Sequence, residues 1–178
     1  MKAPLARAFD SADGLKLEDL AAPGAPGADE VLVQLRAASV NPLDLKLLSG
    51  VMQSVFAIRL PYILGTDIAG VVEQTGELVT RFSPGDRVVG RLLPTRGGGF
   101  CEKVLAPAHA LTLIADDLNY EEAAAIPTAA GTAWLCLFDI GKVRAGQRVL
   151  THAGGGGVGG FATYASNRIK VRHGRRWR

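Results

Sequence analysis

The sequence predicts a mixed β and α/β chain: a small β-barrel, then the first helix-strand-turn-helix of an α/β domain. Residues 1–115 supply the first reason, a succession of short apolar runs broken by Gly and Pro clusters, the pattern of a small closed or partly open barrel. After Asp116 the pattern turns helical, with Asn119-Tyr120-Glu121-Glu122 leading into Ala123, Ala124 and Ala125. Finally, Val149 to Gly160 reads as a buried strand feeding a glycine-rich turn, and helix, strand, turn, helix is how an α/β unit opens.

Taken in order, Ala22 to Gly27 is a turn cluster rich in Pro and Gly, and the run after it alternates. Val31, Val33, Leu35 and Ala37 fall on one face of a half-buried strand. Ile68 to Gly76 is rich in β-formers and carries Gly70, as a bent barrel strand requires. Ser83-Pro84-Gly85-Asp86 turns into a strand at Arg87 to Gly90, and Gly97-Gly98-Gly99 precedes another from about Phe100 to Leu105. Asn119 is a helix cap with acids in the first turn behind it. Pro127 interrupts that helix and restarts one carrying Ala130, Trp134, Leu137 and Phe138 on one face, which Gly141 stops. Arg148 to Thr151 is the strand entering the glycine turn.

Charge is unevenly placed. Arg168 to Arg178 hold six Lys and Arg and no acid, so removing them turns the formal +3 into −3 for the rest. The basic run lacks interleaved aromatics and a reading helix, which argues against a nucleic-acid partner. No apolar run reaches the ~18 residues of a membrane span, and Met1 to Leu5 lacks the apolar core of a signal peptide; the expected location is cytoplasmic. Cys101 and Cys136 are few and far apart, which suits a reducing compartment and buried small hydrophobes rather than reactive thiols. His109, His152 and His173 have no neighbour at metal-ligand spacing, so no metal site is expected.

Five blocks then resemble the medium-chain dehydrogenase/reductases, specifically their zinc-independent quinone-oxidoreductase branch. They are Ala38-Ser39-Val40-Asn41-Pro42-Leu43-Asp44, Pro61 to Val72, Phe82 to Val88, Glu121 to Thr132, and Ala153-x-x-Gly156-Gly157-Val158-Gly159. The resemblance implies a GroES-like barrel over residues 1–117, an incomplete Rossmann nucleotide-binding domain over 118–165, and a basic, disordered or frameshifted tail over 166–178. Zinc-dependent members carry a cysteine where Asn41 stands and a histidine in the Gly65-Thr66-Asp67 block; with both missing, a zinc alcohol dehydrogenase is the less favoured reading. Asp44 and Asp67 are instead expected to be hydrogen-bonding groups inside the barrel.

The implied reaction is NADP(H)-dependent hydride transfer to a quinone or an α,β-unsaturated carbonyl, with NAD not excluded as the cofactor. Asn41 is the first candidate for the polar group beside the developing oxygen or the ribose, since an amide donates and accepts without titrating; the other reading is that it only orders the turn before Pro42. Asp44 either orients Asn41 or a cofactor hydroxyl, or caps the helix beginning near Leu45. Thr132 falls where the family places a threonine beside the carboxamide, yet a threonine one turn into a helix equally bonds its own i−4 carbonyl. Tyr62 is expected at a strand entrance with a half-buried ring. Ala153, Gly154, Gly155, Gly156, Gly157, Val158 and Gly159 form the candidate cofactor turn, where glycines such as Gly156 and Gly159 let backbone N–H groups approach a pyrophosphate at a helix N-terminus.

After Gly159 the expected alternation toward a second strand gives way to the basic run. A frameshift or truncated gene is the expected cause: codons permitted by residues 165–178, read one base over, give a more helical continuation. The expectation is therefore a cofactor cradle begun but unfinished, with activity in doubt. The rival reading is a non-catalytic GroES-like module for binding or oligomerisation. An intact relative would be a homodimer.

Overall fold

The computed structural model describes residues 1–168 and 172–173. The chain divides into two compact units, Met1–Ala125 and Ile126–Arg178.

The first unit is built on a five-stranded antiparallel sheet. Its strands are β3 (Glu30–Ser39), β5 (Asp67–Thr75), β6 (Arg87–Arg91), β7 (Lys103–Pro107) and β8 (Leu111–Leu113), in the spatial order β7-β3-β5-β6-β8. A three-stranded sheet joins β1 (Lys2–Ala6) to β2 (Lys16–Asp19) on one side and to β4 (Tyr62–Ile63) on the other. Helix α1 (Pro42–Leu48) follows β3 directly, and α2 (Tyr120–Ala124) closes the unit.

Val31 and Val33 join Ile68, Val72, Val88, Leu92 and Val104 in the main core, with Leu35 half-buried against it, whereas Ala37, expected on the same face, packs on the other side with Ala69 and Val89. Leu32 is buried too, and between it and Val33 the β3–β5 ladder shifts register, with Glu73 the extra residue on β5. A second shift between Leu35 and Ala37 lies opposite Gly70, where a Cβ would stand 2.2 Å from the Gln34 carbonyl oxygen. The bend expected at this glycine is thus a close backbone crossing that a side chain would block. Asp67 to Gly70 are all buried, since α2 covers the second face of the sheet with Ala123 and Ala124 against Ala69 and Val89. Asn119 caps α2 as expected: its Oδ1 accepts the Glu122 N–H at 2.7 Å and its own N–H donates to Glu122 Oε2 at 3.1 Å.

The strand expected near Phe100 begins at Lys103 instead. The chain before it is tied to residues 63–65 by N–H donations from Gly98 to Ile63 (2.8 Å), Gly99 to Gly65 (2.9 Å) and Phe100 to Leu64 (2.9 Å). Phe100 packs with Tyr62, Leu64, Leu47 and Ile58 in a separate cluster beneath α1. Tyr62 is buried rather than half-buried. Its hydroxyl donates to the Pro94 carbonyl at 2.6 Å.

In the second unit, α3 (Pro127–Trp134) runs into a π-helical turn at Leu135–Ile140 that ends at Gly141. The expected face is only partly covered: Ala133 and Leu137 are buried, whereas Trp134, in α3 ahead of that turn, is 58% exposed with its ring 4.5 Å from that of Phe138. Cys136 lies in that turn and is exposed, not a buried small hydrophobe. The strand expected over Arg148 to Thr151 is shorter: β9 is Arg148–Val149, Val149 is half-buried and Leu150 is 63% exposed. Its only partner among the described residues is β10 (Arg172–His173), paired in parallel over Arg148↔Arg172 and Val149↔His173. A second strand, which the basic run was not expected to form, is therefore present as β10. Helix α4 (Gly157–Arg168) continues through Ser166 and Asn167 rather than giving way to a tail there. Residues 169–171 and 174–178, which hold most of the basic run, lie outside the described residues.

Burial lifts the Tyr62 hydroxyl pKa to about 12. Replacing Tyr62 by Phe removes its hydrogen bond and leaves the Pro94 carbonyl unpaired, at an expected cost of ~1–2 kcal/mol in urea unfolding at pH 7. A raised folded-state pKa also means that stability is lost as the tyrosine ionises, from about 10 through 12. That alkaline loss should be smaller in the Tyr62→Phe protein.

Candidate functional site

The polar centre of the first unit is made by three neighbouring segments. The β3–β5 ladder ends on the pair Ser39↔Asp67, and residues directly opposite in an antiparallel ladder share one face. Two residues beyond Ser39, Asn41 occupies the N-cap of α1 with an extended backbone (φ −116°, ψ 154°), and Pro42 starts the helix, a position where a missing N–H costs nothing. Asn41 therefore comes to Asp67 because strand register and helix start together deliver it there.

The contacts are specific. Asn41 Nδ2 donates to Asp67 Oδ2 at 3.1 Å and to Ser39 Oγ at 3.3 Å. The Ser39 hydroxyl donates to the same Asp67 oxygen at 3.2 Å. Asp67 is fully buried, while Ser39 and Asn41 are half-buried. From the helix side, the Asn41 backbone N–H donates to Asp44 Oδ2 at 2.7 Å, the reciprocal half of a capping box. Asp44 thus stands at the third position of a helix that begins at Pro42, not before one beginning near Leu45.

Asp44 is 1% exposed, and its Oδ1 has no hydrogen-bond partner. Burial pushes its carboxyl pKa up; the Asn41 and Gly65 N–H groups pull it down, and the nearby Asp67 charge raises it. An amide, a hydroxyl and two carboxylates offer neither thiolate nor imidazole, the donors on which zinc sites chiefly rest. Among the described residues no three His, Cys, Asp or Glu stand together as a metal-holding group.

The second unit holds the glycine turn. Ala153 takes a left-handed φ of +51°, uncommon for a residue with a Cβ, and its carbonyl accepts the Gly156 N–H at 2.9 Å. Gly154 to Val158 are exposed and Gly159 is buried. A Cβ on Gly159 would stand 2.1 Å from the Ala153 carbonyl oxygen, whereas one on Gly155 meets nothing within 4 Å and one on Gly156 only Ala153 oxygen at 3.4 Å. Gly159 is needed so that the helix can pack on its own turn; Gly155 and Gly156 leave open backbone in front of the 12-residue helix α4. The first N–H groups of a helix have no partner within it, so the turn fits a pyrophosphate.

Thr132 is exposed and donates its hydroxyl to the Thr128 carbonyl at 2.6 Å, the i−4 alternative. Cys101 is half-buried, its thiol lying 2.9 Å from the Gly98 carbonyl and 3.0 Å from that of Lys103, and burial raises its pKa. Ser39 and Asp67 are the residues that sequence reasoning underused. The signal that finds them is register: with β3 and β5 paired through Gly70, their ends meet.

The alcohol dehydrogenase GroES-like domain family matches residues 27–116. The chain is 37% identical over 155 residues to the chloroplastic quinone-oxidoreductase homolog of Spinacia oleracea, covering 84% of this chain and 47% of that protein. It is 38% identical over 173 residues to a zinc-type alcohol dehydrogenase-like protein of Schizosaccharomyces pombe, covering 86% and 48%. Among solved structures, a mycobacterial protein complexed with NADPH superposes with a TM-score of 0.87 at 32% identity, over 97% of this chain and 52% of that one. The chain spans about half the length of the curated relatives it matches. No helix among the described residues is long and apolar enough to cross a membrane.

Two substitutions probe the two halves of this geometry. A carboxyl whose folded-state pKa is raised contributes stability that is full below its unfolded pKa and is lost as pH rises through the folded value. Asp44→Asn should therefore flatten the decline in urea-unfolding stability from pH 4 to 7; an unchanged slope counts against the buried charge. Gly159→Ala should destabilise the second unit by ~1–3 kcal/mol through overpacking, read as earlier loss of helical signal on heating.

Proposed function

The chain belongs to the medium-chain dehydrogenase/reductases through its alcohol dehydrogenase GroES-like domain, and from that membership we propose that it is part of an NADP(H)-dependent quinone or enone reductase that works without zinc. The single observation that carries the reading is the Asn41 amide held by Asp67 and Ser39 at the head of α1, where zinc-dependent relatives need a cysteine. When bound, the nicotinamide supplies the hydride. Asn41 provides the non-titrating polar group for the reacting oxygen or the ribose, and Asp44 is a positioning residue that fixes the Asn41 backbone. The open backbone from Ala153 to Gly159 holds the pyrophosphate, and Thr132, once its hydroxyl turns from Thr128, serves the carboxamide. NADP(H) is preferred because a structural neighbour at 32% identity is described in complex with NADPH; NAD is the competing cofactor. The substrates are small molecules, the setting is cytoplasmic, and the complete enzyme is a homodimer.

A second reading has its own support. The first unit carries three apolar clusters with buried Val, Ile and Leu, enough for a GroES-like module that binds or oligomerises without catalysis.

Calorimetric titration of the 178-residue polypeptide with NADPH separates the two. β9 has only β10 beside it among the described residues, so the expected result is weak, saturable binding and little quinone-dependent NADPH oxidation. Gly156→Val should weaken that binding at least about tenfold with little change in thermal unfolding, since its Cβ meets only the Ala153 carbonyl oxygen at 3.4 Å. Silence at millimolar NADPH would sink the reductase reading and favour the module.

A further inference from the structure

We infer that Asp67 is the positioning residue of this site: its buried carboxylate anchors the nitrogen end of the Asn41 amide and leaves one amide hydrogen aimed away from the barrel, so that Asn41 serves as a fixed donor to a ligand oxygen. The inference rests on the reading of Asn41 as a ligand-contacting residue, and it adds both the group that orients it and the polarity it presents.

The argument begins with which end of the amide faces inward. A carboxylate only accepts hydrogen bonds, so the Asn41 end 3.1 Å from Asp67 Oδ2 is the NH₂ end. Ser39 reinforces that choice. Its hydroxyl gives its own hydrogen to Asp67 Oδ2 and so meets Asn41 Nδ2 as an acceptor. Flipping the amide would set its carbonyl oxygen against a carboxylate in a fully buried place, an arrangement with no hydrogen to share and a desolvation cost attached.

The second step is geometric. The separations Nδ2–Oδ2, Nδ2–Oγ and Oγ–Oδ2 are 3.1, 3.3 and 3.2 Å. The triangle is nearly equilateral, so its corner at Nδ2 is about half the ~120° by which the two N–H bonds of an amide diverge. A shared hydrogen and one hydrogen on each oxygen are equally misaligned, so charge decides. The carboxylate draws one hydrogen onto the line to Oδ2. The other then lies about 60° or more off the line to Oγ, outside hydrogen-bond geometry. Asn41 is half-buried, and its neighbour Val40 is 71% exposed, so the second hydrogen has solvent-side space available. The ligand chemistry this selects is an acceptor oxygen, as in a carbonyl, a quinone oxygen or an enolate. The backbone is held as well, through Asp44 Oδ2, so the donor is fixed at both ends.

Side-chain amide NMR on the ¹⁵N-labelled full chain tests this. One Asn41 side-chain proton should exchange with water at least about tenfold slower than those of exposed Asn119, the scale of one net hydrogen bond, while its geminal partner exchanges freely. Ser39→Ala keeps the carboxylate acceptor and should retain the slow proton; Asp67→Asn should lose most of that protection. Equal, fast exchange of both Asn41 protons in the unmodified chain would overturn the inference, as would protection lost in Ser39→Ala but kept in Asp67→Asn. If Asp67→Asn does not fold, the first two spectra still decide. Adding NADPH at millimolar concentration tests the underlying reading apart from this one: a slow Asn41 proton with no NADPH-induced shift at the free one keeps Asp67 as the anchor and removes the cofactor assignment.

Discussion

The antiparallel pairing of β3 with β5 is the constraint on which the first unit depends. It supplies the central strands of the main core, and its last rung, Ser39 opposite Asp67, is also the floor of the polar centre. Side chains alternate between faces with a period of two, so a slip of one residue would turn Asp67 to the main-core side, where Ile68 now packs, and remove the anchor for Asn41. Two register shifts along β3 bring the phase out correctly at Ser39. Gly70 allows the second of them, by letting β5 cross close to Gln34. Core packing and the candidate site are therefore set by the same backbone decision.

Electrostatics adds a tension to that geometry. Asp44 and Asp67 are both buried at the head of α1, and burial raises the Asp44 pKa with the Asp67 charge adding to the effect. What offsets the crowding is donors: the Asn41 N–H on Asp44, and the Ser39 hydroxyl and Asn41 amide on Asp67. Asn41 donates to both carboxylates, from its backbone to one and from its side chain to the other. A single residue thus links two acidic groups that would otherwise repel.

The sequence was most legible where chemistry is local. The Asn119 cap with Glu122, the stop at Gly141 and the turn at Ser83–Asp86 each rest on a few adjacent residues, and each is found in place. Asn41 and Asp44 were legible as a pair for the same reason, three positions apart across a helix start. Ser39 with Asp67 was not, because their meeting depends on a ladder with two bulges that no period-two pattern announces. Trp134 and Phe138 do share a face, ring against ring, but Trp134 is exposed, since periodicity says which residues share a face and not what covers it. Val149 and Leu150 look like an interior strand by composition, yet a strand is buried only by its neighbours, and here β10 contributes two residues.

The second unit's interior, among the described residues, centres on Ala133, Leu137 and Ala162. Two of those three are alanines, so the apolar area withdrawn from water is modest at ~25 cal/mol per Å². Such a unit should open at lower free energy than the valine- and isoleucine-rich barrel, in the manner of a separate foldon. Backbone amides of α4 would then trade hydrogen for deuterium well before those of β3 and β5, and a protease would cut first beyond Ala125.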